Sequence, residues 1–431
     1  MKVHAVSFAC FILFVASLIS NAQVDPGVRP GASGAGTPLA GLSAGETDFF
    51  NNHAIPEFNN AEGVSTGLGP RFNLDSCGGC HAQPAPGGSS PAVNPQVANA
   101  AIMAPGSHVP PFLSLNGPVR EVRFVHNPDG SLDGGVHAIF TIAGRTDAPG
   151  GCSITQPDFS KTTNMIFRIP TPIFGGGLME AIEDSTIRQN LASNPGQKAL
   201  LGIKGHVNTS GNDGTVTRFG WKAQNKSLLI FSGEAYNVEM GITNELFPNE
   251  REENVNCATN GTPENQMGLS VGSTDPADIS EFMAFMKFLD QPTPACTGTG
   301  CSSSIQNGHK LFTMIGCAAC HTESMTTGTS SCNALSHQQA NLFSDLALHH
   351  MGSKLADGVS QGAAGPDEFR TAPLWGVGQR IFFLHDGRTS DLLQAVLAHD
   401  NPGSEATRVT DIFEALSKSQ KQDILNFLRS L

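Results

Sequence analysis

Cys77-Gly78-Gly79-Cys80-His81 and Cys317-Ala318-Ala319-Cys320-His321 are two copies of the string Cys-x-x-Cys-His in one chain of 431 residues. A lone Cys-x-x-Cys is equally compatible with a disulfide or a zinc site. With a histidine directly after the second cysteine, the string is the attachment signature of c-type haem. The two thiols form thioethers with the haem vinyl groups, and the histidine becomes the proximal iron ligand. The chain is therefore expected to carry two covalent haems, one on Cys77, Cys80 and His81, the other on Cys317, Cys320 and His321.

The bulk properties agree with an exported protein. Residues 1–22 read as a cleaved leader: Lys2 and His4 open it, an apolar stretch from Val6 to Ile19 follows, and Ser20-Asn21-Ala22 suits cleavage. No later stretch is long and apolar enough to span a bilayer. A periplasmic or secreted location is expected. With four cysteines assigned to haem and Cys10 in the leader, Cys152, Cys257, Cys296, Cys301 and Cys332 remain, an odd number. Cys296 with Cys301 and Cys152 with Cys257 are possible pairs, but the sequence leaves the pairing open. The formal net charge is -13 and no basic run is present, which argues against nucleic acid and anionic lipid as partners.

The length implies two domains. Residues 23–45, rich in Gly, Pro and Ala, read as an extended arm. Residues 46–292 read as an N-terminal cytochrome c-like haem domain, and 293–431 as a second. The first carries a β-hairpin insertion, since Val119–Val125 alternates, Asn127–Gly130 is a turn and Val136–Ile142 is β-prone. A helix starting near Asp275-Pro276 presents Ile279, Phe282, Met283, Phe285, Met286 and Leu289 on a broad apolar face. Pro292 and Pro294 end that segment and set the boundary. In the second domain a helix over Ile305–Ile315 leads into Cys317. A closing helix over Ser419–Leu431 has Ser419 and Gln422 at capping-box spacing. The fold class is mainly α.

The halves also share a pattern. Thr171-Pro172-Ile173-Phe174-Gly175-Gly176-Gly177 matches Ala372-Pro373-Leu374-Trp375-Gly376-Val377-Gly378. Arg218-Phe219-Gly220-Trp221-Lys222 matches Phe382-Phe383-Leu384-His385-Asp386, which pairs Trp221 with His385.

Several strings resemble the di-haem oxidoreductases known as peroxidases or thiol oxidoreductases, relatives of bacterial di-haem cytochrome c peroxidases and of the di-haem enzyme that matures methylamine dehydrogenase. They are Gly67-Leu68-Gly69-Pro70-Arg71-Phe72-Asn73, Ile169–Gly175, Arg218–Ala223, Glu239-Met240-Gly241-Ile242-Thr243, Phe343–Leu346, Thr371–Gly376 and His385–Arg388. The resemblance implies that the N-terminal haem reduces hydrogen peroxide. Electrons would come from a small cytochrome or copper protein through the C-terminal haem, with a tryptophan, here Trp221, between the two. It implies a distal acid/base at Glu239, with Glu180 and Glu234 in reserve, while the distal glutamine of the relatives falls near Phe231. Proton transfer to and from bound peroxide needs such a group. The sixth ligand of the second haem, a methionine in the peroxidases, falls on His399, with Met351 as rival. No histidine occurs in 82–107 to close the first haem, and His108 comes late. The relatives hold calcium between the haems. The threonine and proline expected there correspond to Arg380 and Phe382, so calcium stays open, as does a homodimer. Two other readings remain: oxidation of a partner protein or organic substrate through a high-valent state, and plain electron transfer without a substrate. A thiol oxidoreductase role finds no support, because no Cys-x-x-Cys lies outside the haem motifs.

Overall fold

The computed structural model describes residues 23–103, 108–127, 129–133, 135–250, 254–265 and 276–431. The expected leader, residues 1–22, and Asp275 lie outside the described residues. Helices carry most of the regular structure, joined by short two- and three-stranded sheets. Among the described residues, no helix is long and apolar enough to cross a membrane.

Each Cys-x-x-Cys-His segment is pinned by the same set of contacts. Phe58 stacks on Phe285 (ring centroids 4.1 Å apart) and stands edge-on to His81. In the second half Phe312 packs on Phe427 (5.4 Å) and lies 6.3 Å from the ring of His321. Phe285 belongs to the helix Asp278–Phe288, and Phe427 to the closing helix Lys418–Ser430. Against these helices lie Gly177 and Gly378, at matching places in the sequence repeat. A Cβ on either would run into a helix carbonyl, that of Lys287 or Arg429. Only glycine permits such a close approach.

The second pair of repeated strings also shares its local geometry. Phe219 bridges to Asn225, and Phe383 to Thr389. Gly220 and Leu384, at matching places, both have positive φ (85° and 66°). Ser227 then caps the helix Leu228–Met240 and Asp391 caps Leu392–Leu397.

The expected hairpin forms in part. Glu121–Phe124 pairs with Val136–His137, and also with Met165–Arg168 on its other side. The rest of the β-prone run pairs elsewhere, Phe140–Thr141 with Arg71–Phe72 just ahead of the first haem motif. The closing helix begins earlier than its sequence pattern suggested. Ser417 is the N-cap and forms the capping box with Gln420, two residues before Ser419 and Gln422.

Most of the buried apolar residues form one large cluster and a second around the closing helix, with smaller clusters around Trp221 and around Leu348. The larger takes in Met325, Leu335, Leu342 and Trp375 from beyond position 293, and the second takes in Leu201 and Ile203 from before it. The arm crosses the halves as well. Asp25 pairs with Arg429 (2.6 Å), and Arg29 N–H donates to the Gly378 carbonyl. Cys152–Cys257 and Cys296–Cys301 are disulfide-bonded, and Cys332 is free and buried.

An ionic network fixes the segment around Trp221. Asp357 is fully buried between Arg168 (2.6 Å) and Lys222 (3.0 Å). Lys222 Nζ also donates to the carbonyls of Gly365 and Glu368. Burial alone would raise the Asp357 pKa, but the two cations outweigh it and hold the pKa below the ordinary carboxylate value. A carboxyl with a lowered folded pKa contributes stability above its unfolded pKa of about 3.9, and that stability is lost as pH falls through the folded value. Asp357→Asn leaves two buried cations unpaired and is expected to cost about 3–5 kcal/mol at neutral pH. The deficit should shrink below about pH 4. Calorimetric melting of both proteins across that range checks it.

Candidate functional site: two cavities that meet at one tryptophan

Cys77, Cys80 and His81 line one cavity, and Cys317, Cys320 and His321 line another.

The proximal histidines are held alike. His81 Nδ1 donates to the Gly88 carbonyl and His321 Nδ1 to the Phe343 carbonyl, each at 3.0 Å. In both halves the preceding carbonyl is also used: Gly87 accepts from Ile173 N–H (2.9 Å) and Leu342 from Leu374 N–H (3.0 Å). A carbonyl can only accept, so each Nδ1 carries the proton and the ring lone pair sits on Nε2. That is the tautomer iron requires. Burial pushes the pKa of both rings down to about 4, which keeps them neutral.

Trp221 lines both cavities. Its Nε1–H donates to the Ile169 carbonyl (3.1 Å), and Ile169 N–H donates to the His385 carbonyl (2.8 Å). His385, its partner in the sequence repeat, stands edge-on to it at 6.4 Å and stacks on Phe369.

The cavities differ in chemistry. In the first, Glu239 sits in the last turn of the helix Leu228–Met240. Gly241 ends that helix at φ 73° and lies against Gly69, so two of the resembling strings meet at this point. The Glu239 carbonyl accepts from Asn73 N–H (2.7 Å). Burial, then the charges of Glu121 and Glu234, push the Glu239 carboxyl up to about 8. Glu234 lines the same cavity, with its carboxylate bonded to Asn225. Glu180 is engaged elsewhere, accepting from Leu228 N–H at the start of the helix. Phe231 lines the wall, and Glu121 and Arg123 pair at 3.1 Å beside Glu239. Among the described residues, His81 is the only histidine lining this cavity, and His108 is exposed, its N–H on Gln156.

The second cavity holds His321, His349, His385 and His399 together with Met351. His399 Nδ1 donates to the Ala395 carbonyl (2.9 Å), and burial lowers its pKa. The ring is therefore neutral with its lone pair on Nε2, as a ligand must be. His349 differs, since Nε2 donates to Asp345 (2.9 Å) and Nδ1 to Glu405 (2.8 Å). Burial opposes a charge there, but Cys320 and Asp345 beside it raise its pKa well above the ordinary value.

A porphyrin brings carboxylates as well as iron, and the second cavity has a cation to receive them. Arg380 lines it, fully buried, with Nε and Nη2 lacking any partner and its pKa lowered by burial to about 10. Buried charge without a partner is costly, so such a guanidinium suits an anionic group of the cofactor. The same charge stands at the place implied for calcium and disfavours a cation there.

A family model described as "Di-haem oxidoreductase, putative peroxidase" matches residues 121–431. The chain belongs to this family. The matched span contains the second Cys-x-x-Cys-His and begins downstream of the first. Haem is the cofactor that membership in the di-haem oxidoreductases implies. Among solved structures, the chain is similar to hydrazine synthase of Kuenenia stuttgartiensis at 12% identity, over 99% of this chain and 100% of that chain, with a TM-score of 0.38. It is also similar to a MauG-like protein associated with microbial copper homeostasis, at 17% identity and a TM-score of 0.25, over 36% of this chain and 52% of that chain. No curated protein matches the sequence. In this di-haem oxidoreductase Arg123, the Asp345–His349–Glu405 cluster and the buried, unpartnered Arg380 were not legible from the sequence as groups of the site. Arg123 stands beside Glu239 and His349 beside Glu405, residues distant in the chain that only folding brings together.

Proposed function

We propose that the protein is an exported di-haem c-type oxidoreductase of peroxidase type, built of two cytochrome c-like haem domains. In this reading Cys77 and Cys80 bind the first haem covalently with His81 as iron ligand. Cys317 and Cys320 bind the second, with His321 and His399 as ligands. Hydrogen peroxide is reduced at the first haem, while a small cytochrome or copper protein delivers electrons to the second. The observation that carries the proposal is the asymmetry of two cavities sharing Trp221: among the described residues, the first is lined by one histidine and a protonatable glutamate, the second by several imidazoles.

The haems supply the redox-active iron; ligation, proton delivery and access belong to the chain. Glu239 takes one proton from peroxide and returns it to the departing oxygen, and Arg123 beside it steadies negative charge. Overall, one peroxide, two electrons and two protons yield two waters. Trp221 spans the wall between the sites. The two disulfides fit an oxidising compartment. Arg380 takes the place of calcium, which has no part in this reading.

A second reading, oxidation of a partner protein or organic substrate by the same pair of haems, draws on the imidazole at His399. Histidine in place of methionine lowers the potential of the second haem.

Stopped-flow mixing of the reduced holoprotein with hydrogen peroxide tests the first reading. Both haems should oxidise, and Trp221→Phe should slow oxidation of the second by about tenfold or more, a barrier increase of about 1.4 kcal/mol. Two haems inert to peroxide would leave a plain electron carrier.

A further inference from the structure

Tyr236 is the only tyrosine in the sequence. It lies on the helix Leu228–Met240, three residues before Glu239, so the two share a face of that helix, and both line the first cavity. The Tyr236 side chain is buried (2% exposed) and its ring packs edge-on against Phe282, with centroids 4.9 Å apart. The phenol hydroxyl donates to the Asp278 carboxylate (3.0 Å).

Asp278 stands in the first turn of the helix Asp278–Phe288, where the helix N-terminus favours negative charge. Further carboxyls gather at that end. Glu62 is buried, and Glu57 is pushed up to about 8 by burial and then by the charges of Asp278, Glu62 and Glu281. Burial, then the charge of Asp278, holds the Tyr236 phenol well above its ordinary pKa, so it keeps its proton at rest. A buried phenol needs a partner for its hydroxyl, and a carbonyl would meet that need. A carboxylate can also take the proton.

We propose that Tyr236 is a redox-active residue of the first site, giving up one electron there while its proton passes to Asp278. The inference rests on the reading that peroxide is reduced at the haem on His81. Loss of an electron makes a phenol strongly acidic, so its oxidation is eased where a base is already hydrogen-bonded to it. When both haems start oxidised, the haem on His321 has no electron to give. One peroxide and two protons from solvent then take one electron from Tyr236 and one from the iron held by His81, and yield two waters. The O–H bond of Tyr236 breaks, an O–H bond forms on Asp278, and a neutral tyrosyl radical remains. One electron from the external donor and the proton held by Asp278 restore the phenol. Burial against Phe282 keeps solvent and stray reductants from the ring.

The test is freeze-quench EPR of the fully oxidised holoprotein mixed with hydrogen peroxide without any donor, with haem absorbance followed in parallel. An organic radical should appear. Because the chain has one tyrosine, protein grown on ring-deuterated tyrosine is labelled at Tyr236 alone, and its radical signal should narrow. Tyr236→Phe should abolish the signal. Asp278→Asn keeps the shape of the acceptor but cannot take a proton, and should slow the appearance of the radical by about 10²-fold, the low end for a positioned base. An unchanged haem spectrum shows that a variant is folded; if Asp278→Asn is not, the label and Tyr236→Phe decide. Haems that respond to peroxide without a radical overturn this inference alone, as does a radical that ignores the label or persists in Tyr236→Phe. Haems that ignore peroxide overturn both it and the peroxide reading.

Discussion

Glu239→Gln is expected to lower peroxide-dependent turnover by about 10²–10⁴-fold, the usual contribution of a positioned acid/base group. Haem content and the reduction of the second haem by an external donor should not change. Glutamine keeps the shape of the side chain but cannot accept a proton. The pH dependence follows from the environment of the carboxyl, which burial first, and then Glu121 and Glu234, push up to about 8. The group must be ionised to take the proton of peroxide. The rate of reaction with peroxide is therefore expected to rise as pH increases towards and through about 8, and to be flat over that range in the glutamine variant. Rapid-mixing rates between pH 6 and 9 check both expectations. If Glu121 or Glu234 were the base instead, the glutamine variant would keep both the rate and its pH profile.

His399→Met is expected to raise the reduction potential of the second haem by a sizeable part of the ~0.8 V that axial ligands command, because a thioether favours the reduced iron over a second imidazole. The ring is poised for ligation by its Nδ1 bond to the Ala395 carbonyl and by burial, which keeps it neutral. Met351 lines the same cavity and is the competing ligand. Potentiometric titration with near-infrared spectra separates the two: the wild type should lack a thioether-to-iron charge-transfer band, and His399→Met should gain one. A wild-type band lost in Met351→Leu would assign the ligand to Met351.

How much of this could be read from the chain depended on the range of the interactions. Each haem motif is five contiguous residues, and its reading needs no knowledge of the fold. The repeat was visible as short strings, and the structure gives those strings matching bridges and matching N–H donors, Ile173 and Leu374, to the carbonyls next to the ones that hold the two histidines. The closing helix was found, but Ser417-x-x-Gln420 and Ser419-x-x-Gln422 both satisfy the capping pattern. Apolar periodicity could not choose between them. The run Val136–Ile142 was legible as β-prone, yet its two ends pair with different partners, since strand pairing depends on distant segments. The same holds for the candidate site. Glu239 and Trp221 sit in recognisable strings, whereas Arg123 meets Glu239, and Glu405 meets His349, only through tertiary contacts.

The most direct test is low-temperature EPR of the holoprotein, fully oxidised and after one-electron reduction, before and after stoichiometric hydrogen peroxide. A high-spin ferric signal from the haem on His81 is expected beside a low-spin bis-histidine signal from the haem on His321, with rapid oxidation of the one-electron-reduced protein by peroxide. Two low-spin signals indifferent to peroxide in either state would contradict the proposed function.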